Sequence, residues 1–322
     1  FKQKTAYEML RSLVGSEMCI RDRINMKQKL KTDVEAHPEF GFLRVTPTPS
    51  AEEITEFYAN EFYSGDYKNF NDSSLEVQLN DRDFYEGGWE DMALHIREIL
   101  AQPLEKLSLL DIGCGWSQAL LFFAEKGIDC YGFDPAPEAV EYGLGKGLTV
   151  KRAGMNRMDV FDGKKFDVVM LNNVLEHLAD PVAILQEIKD KVLRPGGLVV
   201  IDVPNEFNDF QTAGRDLHQL KDWWVSPPAH LNYFSKDTLV NLLEGTGYDV
   251  KLTEASFPLE MFLLFGDCYV GNERLGKQCH QKRVAFETNL RKLGCGNKLR
   301  AFYQALAQLN LGRQVTAYAV LK

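Results

Sequence analysis

The chain has 322 residues, of which 45% are apolar and 26% charged, and a formal net charge of −9. That composition is ordinary for a globular protein of one large domain or two. The acidic balance argues against nucleic acid as a partner, and no apolar run is long enough to span a bilayer. Six cysteines (Cys19, Cys114, Cys130, Cys268, Cys279, Cys295) form no Cys-x-x-Cys pair and no zinc spacing, so no metal centre is expected and a reducing cytoplasm is.

Phe1 to Arg23 resembles a translated sequencing-adapter string and lacks the apolar core and cleavage site of a signal peptide. It is set aside as a non-native leader, with the native start expected at Ile24 or later. Residues 24–100 are expected to form an N-terminal helical layer. Gly41 to Val45 has strand character, and Ser50-Ala51-Glu52-Glu53 is a capping box that opens a helix to about Asn60. Rings follow at Phe57, Tyr58, Phe62, Tyr63, Tyr67, Phe70, Phe84, Tyr85 and Trp89. They fit packing onto the main domain, or a lid with Gly87-Gly88 as its flexible point.

From Leu107 short apolar runs alternate with helical patterns. Strands are expected at 107–112, 129–134, 148–152, 166–172 and 197–203, with helices at about 117–126, 136–144 and 181–193. Such alternation predicts a parallel sheet wound on both faces, with ligands at the carboxyl ends of its strands. A core is expected over 101–255. It includes a helix at 236–246 capped by Ser235 and a strand at 248–256. A helical insertion and a closing strand at 314–321 complete the chain over 256–322.

The chemistry centres on Leu109-Leu110-Asp111-Ile112-Gly113-Cys114-Gly115-Trp116-Ser117, where a strand meets a glycine turn and a helix start. Glycine allows close backbone approach, and a helix start offers free N–H groups. The dinucleotide pattern G-x-G-x-x-G fails because Gln118 stands at the sixth position. Asp111 would repel a pyrophosphate and attract a cation. Asp134, 23 residues further on at a strand end and followed by Pro135, is placed to accept two ribose hydroxyls. It is also placed to cap the helix that follows.

The stretch resembles the D-x-G-x-G-x-G motif of class I S-adenosylmethionine-dependent methyltransferases. Ser117 replaces the third glycine and is suited to capping the helix. The resemblance implies a doubly wound, Rossmann-like α/β sheet in the order 3-2-1-4-5-7-6. It implies S-adenosyl-L-methionine as cofactor, held by Asp111, Gly113, Cys114, Gly115, Asp134 and Pro135. Arg152-Ala153-Gly154-Met155-Asn156 lacks the family's adenine-binding carboxylate, which leaves Met155 to pack on the ring and Asn156 to hydrogen-bond it. Asn172-Asn173-Val174-Leu175-Glu176-His177 resembles the family's L-E-H segment beside the methionine moiety, with Asn173 a further cofactor contact. Leu193-Arg194-Pro195-Gly196-Gly197 resembles its helix-to-strand turn.

Methyl transfer is an in-line displacement that depends on positioning, with a base useful for an alcohol acceptor. His177 and His230 are the candidate bases, and His218 has no supporting context. Neither the N-P-P-(Y/F) pattern of adenine methyltransferases nor the Pro-Cys pair of cytosine enzymes is present. The nearest resemblance is to small-molecule methyltransferases, which implies a small-molecule acceptor: a glycan, a quinone or a secondary-metabolite precursor. Nine Lys or Arg and two Glu lie between Asn272 and Arg313, which fits a solvated helix face or a patch for an anionic acceptor. A silent cofactor-binding scaffold subunit and an NAD-dependent oxidoreductase are the alternatives.

Overall fold

The computed structural model describes residues 33–49, 53 and 75–322. The leader, the capping box at Ser50 and the rings from Phe57 to Phe70 lie outside these residues.

Two short strands, β1 (Asp33–Ala36) and β2 (Leu43–Thr46), precede helices α1 (Leu75–Asn80) and α2 (Arg82–Leu100). The core then alternates: β3 (Ser108–Ile112), α3 (Gln118–Glu125), β4 (Asp129–Asp134), α4 (Pro137–Gly145), β5 (Thr149–Arg152), β6 (Phe166–Asn172), α5 (Pro181–Glu187) and β7 (Leu193–Pro204). It continues with α6 (Asp209–Leu217), β8 (Asn232–Tyr233), α7 (Lys236–Gly245) and β9 (Tyr248–Ala255). The insertion is α8 (Glu260–Leu264), α9 (Glu273–Lys292) and α10 (Gly296–Gln308), and β10 (Gln314–Leu321) follows.

Seven strands form one sheet in the order β5-β4-β3-β6-β7-β10-β9, which is 3-2-1-4-5-7-6 counted along the chain, as expected. The first five are parallel, and β10 runs antiparallel between β7 and β9. Strands buried on both faces need apolar side chains on both. Leu110, Ile112, Val169, Leu171, Val199 and Ile201 pack into the core on one side. Leu109, Val168, Met170, Leu198 and Val200 pack on the other, with Ile96 of α2 and Phe123 of α3.

Three local expectations are corrected. The Leu193-to-Gly197 segment is the start of β7, not a turn before it. Leu193 pairs with Phe166, the register then shifts, and Leu198 pairs with Val168. Gly196, at φ 72°, absorbs the irregularity. The helix from Pro181 ends at Glu187 and closes through one π-helical turn, Ile188–Val192. Ser117 does not cap α3. Its own φ of 57° is left-handed, and its hydroxyl lies toward Cys114 Sγ (3.7 Å) and the Gly115 carbonyl (3.5 Å). Strands β1, β2 and the two-residue β8 make a second small sheet that holds the link after β7 against the N-terminal segment.

Much of the insertion's positive charge is matched within the protein. The buried Asp91 of α2 receives both Arg291 (2.6 Å) and Arg300 (2.8 Å). Lys282 reaches Asp267, Arg283 reaches Glu287, and His280 reaches Asp81. Arg291, Arg300, His280 and Lys282 thus tie α9 and α10 to α2, to the residue before it and to the loop before α9.

Candidate cofactor and acceptor site

The glycine corner is built by close approach. Gly113 has a φ of 72°, and its N–H donates to the Phe133 carbonyl at 2.9 Å. A Cβ there would meet Val174 Cγ2 at 2.6 Å and Met155 Sδ at 3.3 Å. Gly115, at φ 46°, faces open space instead. Asp134 locks the corner from the end of β4. One carboxylate oxygen accepts the Gly115 N–H (2.9 Å) and the other the Ala136 N–H (2.8 Å). The second bond satisfies the residue just before α4. A carboxylate oxygen accepts two hydrogen bonds, so capacity for ribose hydroxyls remains.

Asp111 is buried at the carboxyl end of β3, and its Oδ1 has no hydrogen-bond partner among the described residues. Burial, reinforced by the Asp134 charge, pushes its carboxyl up to about 8. A buried carboxylate oxygen without a partner is costly, and a cation at this corner would relieve it. The residues therefore fit a ligand that carries positive charge.

The other expected cofactor residues divide in two. Met155 sits against Gly113 and joins the corner. The Cys114 side chain is buried against Gly132, so it offers a ligand only its main chain. Pro135 accepts Arg152 through its carbonyl at 3.2 Å. Asn156 and Asn173 are exposed at the rim. Asn173 is left-handed (φ 53°), and its amide oxygen accepts from Gln314 Nε2 at 2.7 Å.

Beyond β6, three segments converge. The one-turn helix Leu175–His177 is sewn to the link before β8, because the Leu231 N–H donates to the Glu176 carbonyl (2.8 Å). Asn232 Nδ2 donates to the Leu178 carbonyl (2.7 Å). The Glu206 N–H, just past β7, donates to the Phe234 carbonyl (2.8 Å). This brings His177 and His230 to a ring separation of 5.0 Å, edge to face. His177 Nδ1 donates to the Ala229 carbonyl at 2.7 Å, the ring also has a main-chain contact with Asn173, and Nε2 lies 3.7 Å from Glu176 Oε1. Burial, then His230, lowers His177 to about 3. Burial raises the Glu176 carboxyl well above the usual range, and neither of its oxygens has a hydrogen-bond partner among the described residues. Glu206 Oε1 lies 3.8 Å from His230 Nδ1. The sequence analysis picked out both histidines but not Glu206 or the buried face of Glu176. The available signal was that Glu176, His177 and Glu206 follow strand ends of one sheet, whereas His230 lies in the link before β8.

A doubly wound sheet in this order, with acidic ends on β3 and β4 flanking a glycine corner, defines a class I S-adenosylmethionine-dependent methyltransferase. Residues 75–252 match the model of a methyltransferase domain family, and the chain belongs to that family. Its cofactor is S-adenosyl-L-methionine. The chain is 37% identical over 154 residues to a ubiquinone biosynthesis O-methyltransferase of Cereibacter sphaeroides (strain ATCC 17025 / ATH 2.4.3), which covers 46% of this chain and 62% of the relative. A Rhizobium etli protein of the same name is 33% identical over 110 residues, covering 33% of this chain and 44% of its own. The chain thus spans about six tenths, or less, of the curated relatives it matches. Among solved structures, a Burkholderia thailandensis 1,6-didemethyltoxoflavin-N1-methyltransferase is 13% identical with a TM-score of 0.49, covering 90% of this chain and 99% of its own. Among the described residues, no helix is long and apolar enough to cross a membrane.

Proposed function

We propose that this protein transfers the methyl group of S-adenosylmethionine to a hydroxyl oxygen of a small acceptor of quinone or phenol type. The observation that carries the reading is the buried Asp111 carboxylate, without a partner for Oδ1, beside the Asp134-locked glycine corner. Asp111 pairs with the cofactor's ammonium end and Asp134 with its ribose, while Met155 packs on the adenine and Asn156 and Asn173 edge the cleft. The oxygen acceptor is supported by the Cereibacter and Rhizobium relatives, whose names specify O-methylation in ubiquinone biosynthesis.

In the reaction the acceptor oxygen attacks the methyl carbon opposite sulfur. The C–S electron pair stays on sulfur, and the positive charge of the sulfonium is discharged. His177, lowered by burial, is too weak a base to hold the hydroxyl proton, so His230, beside Glu206, receives it.

Calorimetry with S-adenosylhomocysteine, followed by labelled methyl transfer into phenolic and quinol acceptors, tests this. Micromolar binding and transfer to oxygen are expected. Binding without transfer to any acceptor pool would favour a scaffold role, and absence of binding by folded protein would remove the reading.

A further inference from the structure

The insertion turns a face of contiguous rings to solvent. Phe302 of α10 lies 6.5 Å from Phe286 of α9, Phe286 lies 5.6 Å from Phe257, Phe257 lies 5.7 Å from Phe262, and Phe262 lies 6.5 Å from Phe265. One ladder of rings therefore crosses from α10 over α9 to both ends of α8. Its outer members are open, with Phe265 70% exposed, Phe302 41% and Phe286 38%. Single exposed apolar residues are ordinary, whereas contiguous ones mark an interaction surface.

The charge around the ladder has one sign. Residues 259–313 hold nine Lys or Arg and four Asp or Glu. Each of the four carboxylates has a Lys or Arg partner within the same segment, at 3.4 Å or less. The surplus is positive, in a chain whose net charge is −9. Lys282 stands one turn before Phe286 and 5.5 Å over the Phe262 ring, and the exposed Lys298 stands one turn before Phe302.

The ladder also starts on the functional edge of the sheet. Strand β10 is antiparallel to both β7 and β9, so β9 is parallel to β7 and ends, at Ala255, on the carboxyl edge that carries the cofactor corner. Phe257 follows two residues later. Helix α8 then packs on α6, where a Cβ on Gly214 would meet Leu263 Cδ1 at 2.8 Å.

We propose that the α8–α10 face docks on an anionic lipid bilayer, with Phe265, Phe286 and Phe302 entering the headgroup layer and Lys282 and Lys298 meeting lipid phosphates. Lysine stems cover apolar surface while their ammonium groups reach outward, and rings beside them suit the boundary between headgroup and acyl chain. An acidic protein would match the lysines and leave three open rings without a purpose. A second copy packed face to face by a two-fold axis would bring the same lysines together. A bilayer matches rings and charge at once. The proposal rests on the quinone or phenol reading of the acceptor in one respect: an acceptor with an apolar body concentrates in the bilayer, and this docking turns the cleft edge of the sheet toward it.

The test is flotation of the full chain with vesicles of phosphatidylcholine alone and of phosphatidylcholine with phosphatidylglycerol, beside S-adenosylhomocysteine calorimetry and sedimentation velocity. Binding to the phosphatidylglycerol vesicles is expected, at least ~10-fold tighter than to phosphatidylcholine alone and falling as salt rises. Phe265→Ser and Phe302→Ser should each weaken it ~10-fold, and Lys298→Ala ~5-fold, while S-adenosylhomocysteine affinity stays at the parent's value. Leu144→Ser, at an exposed position of α4, should leave flotation unchanged. Protein that binds S-adenosylhomocysteine but floats with neither vesicle overturns the lipid surface and leaves the methyltransferase reading standing. Flotation that survives the three substitutions combined, or that is equal on phosphatidylcholine alone, also overturns it. A dimer abolished by Phe265→Ser, without flotation, overturns it in favour of an interface between copies. Flotation of protein that binds no S-adenosylhomocysteine, lost in the Phe variants, upholds the lipid surface and removes the methyltransferase reading.

Discussion

Asp134 accepts the Gly115 N–H at 2.9 Å, so the residue placed to hold ribose is also the latch of the glycine corner. Its second oxygen holds Ala136, which puts β4, the corner and the approach to α4 in one hydrogen-bonded unit. Cofactor affinity and local stability are coupled through this one side chain. Asp134→Ala strands two N–H groups, each costing ~1–3 kcal/mol if buried. The expected outcome is a lower melting temperature together with at least a ~10-fold loss of S-adenosylhomocysteine affinity. Asn at the same position keeps one acceptor oxygen and should fall between. Thermal unfolding with calorimetry on both variants checks the order.

Asp111 makes stability depend on pH. Its folded carboxyl titrates near 8, above the ordinary carboxylate range of about 4, so the folded state binds the proton more tightly. Its contribution is therefore full below about pH 4 and is lost as pH rises through about 8. Asp111→Asn, neutral at all pH, should melt close to the parent at pH 5 and clearly above it at pH 9. Binding of a cationic cofactor should release close to one proton from the parent at pH 7 and none from the Asn variant. Calorimetry in buffers of different ionisation enthalpy measures that release.

The two motif glycines should fail differently. Gly113→Ala combines a φ of 72° with a Cβ 2.6 Å from Val174 Cγ2, so stability should fall by ~1–3 kcal/mol and cofactor binding with it. Gly115→Ala meets no protein atom within 4 Å. Its methyl enters the space meant for the ligand, so affinity should drop with a loss of stability nearer ~1 kcal/mol. Paired melting and binding curves separate the two.

Asp91 is the anchor of the insertion. Asp91→Ala leaves Arg291 and Arg300 half-buried without their shared carboxylate, a loss of ~3 kcal/mol at the low end for breaking a buried pair. Proteolysis between α9 and α10 should quicken while S-adenosylhomocysteine affinity changes little. Limited digestion followed by mass spectrometry reads this directly.

The sheet was legible in the sequence because strands buried on both faces must be short, apolar and glycine-bounded. Strands β3, β4 and β6 accordingly match to within a residue, and so does the edge strand β5, of which only Val150 is buried. The corner was legible for a chemical reason, since Asp111 and Asp134 are carboxylates where side chains should be apolar. What lay hidden depends on distance. The partner of Arg300 is Asp91, 209 residues earlier, and no local pattern joins them. β8 is two residues long, too short for any alternation to show. The Glu176–His230 meeting depends on a link whose path is set by hydrogen bonds such as Asn232 to Leu178. Ser117 misled because its identity suits a cap while its left-handed backbone turns the hydroxyl away from the helix.

Strand β10 lies inside the sheet, flanked by β7 on one side and β9 on the other. During synthesis, β7 is complete more than a hundred residues before its neighbour exists. Until Gln314–Leu321 is made, β7 presents an open apolar edge and β9 has nothing to pair with. The ribosome must therefore deliver the chain past Leu321 before the sheet can close. The nascent protein passes through a long interval in which that edge is the surface most in need of a chaperone.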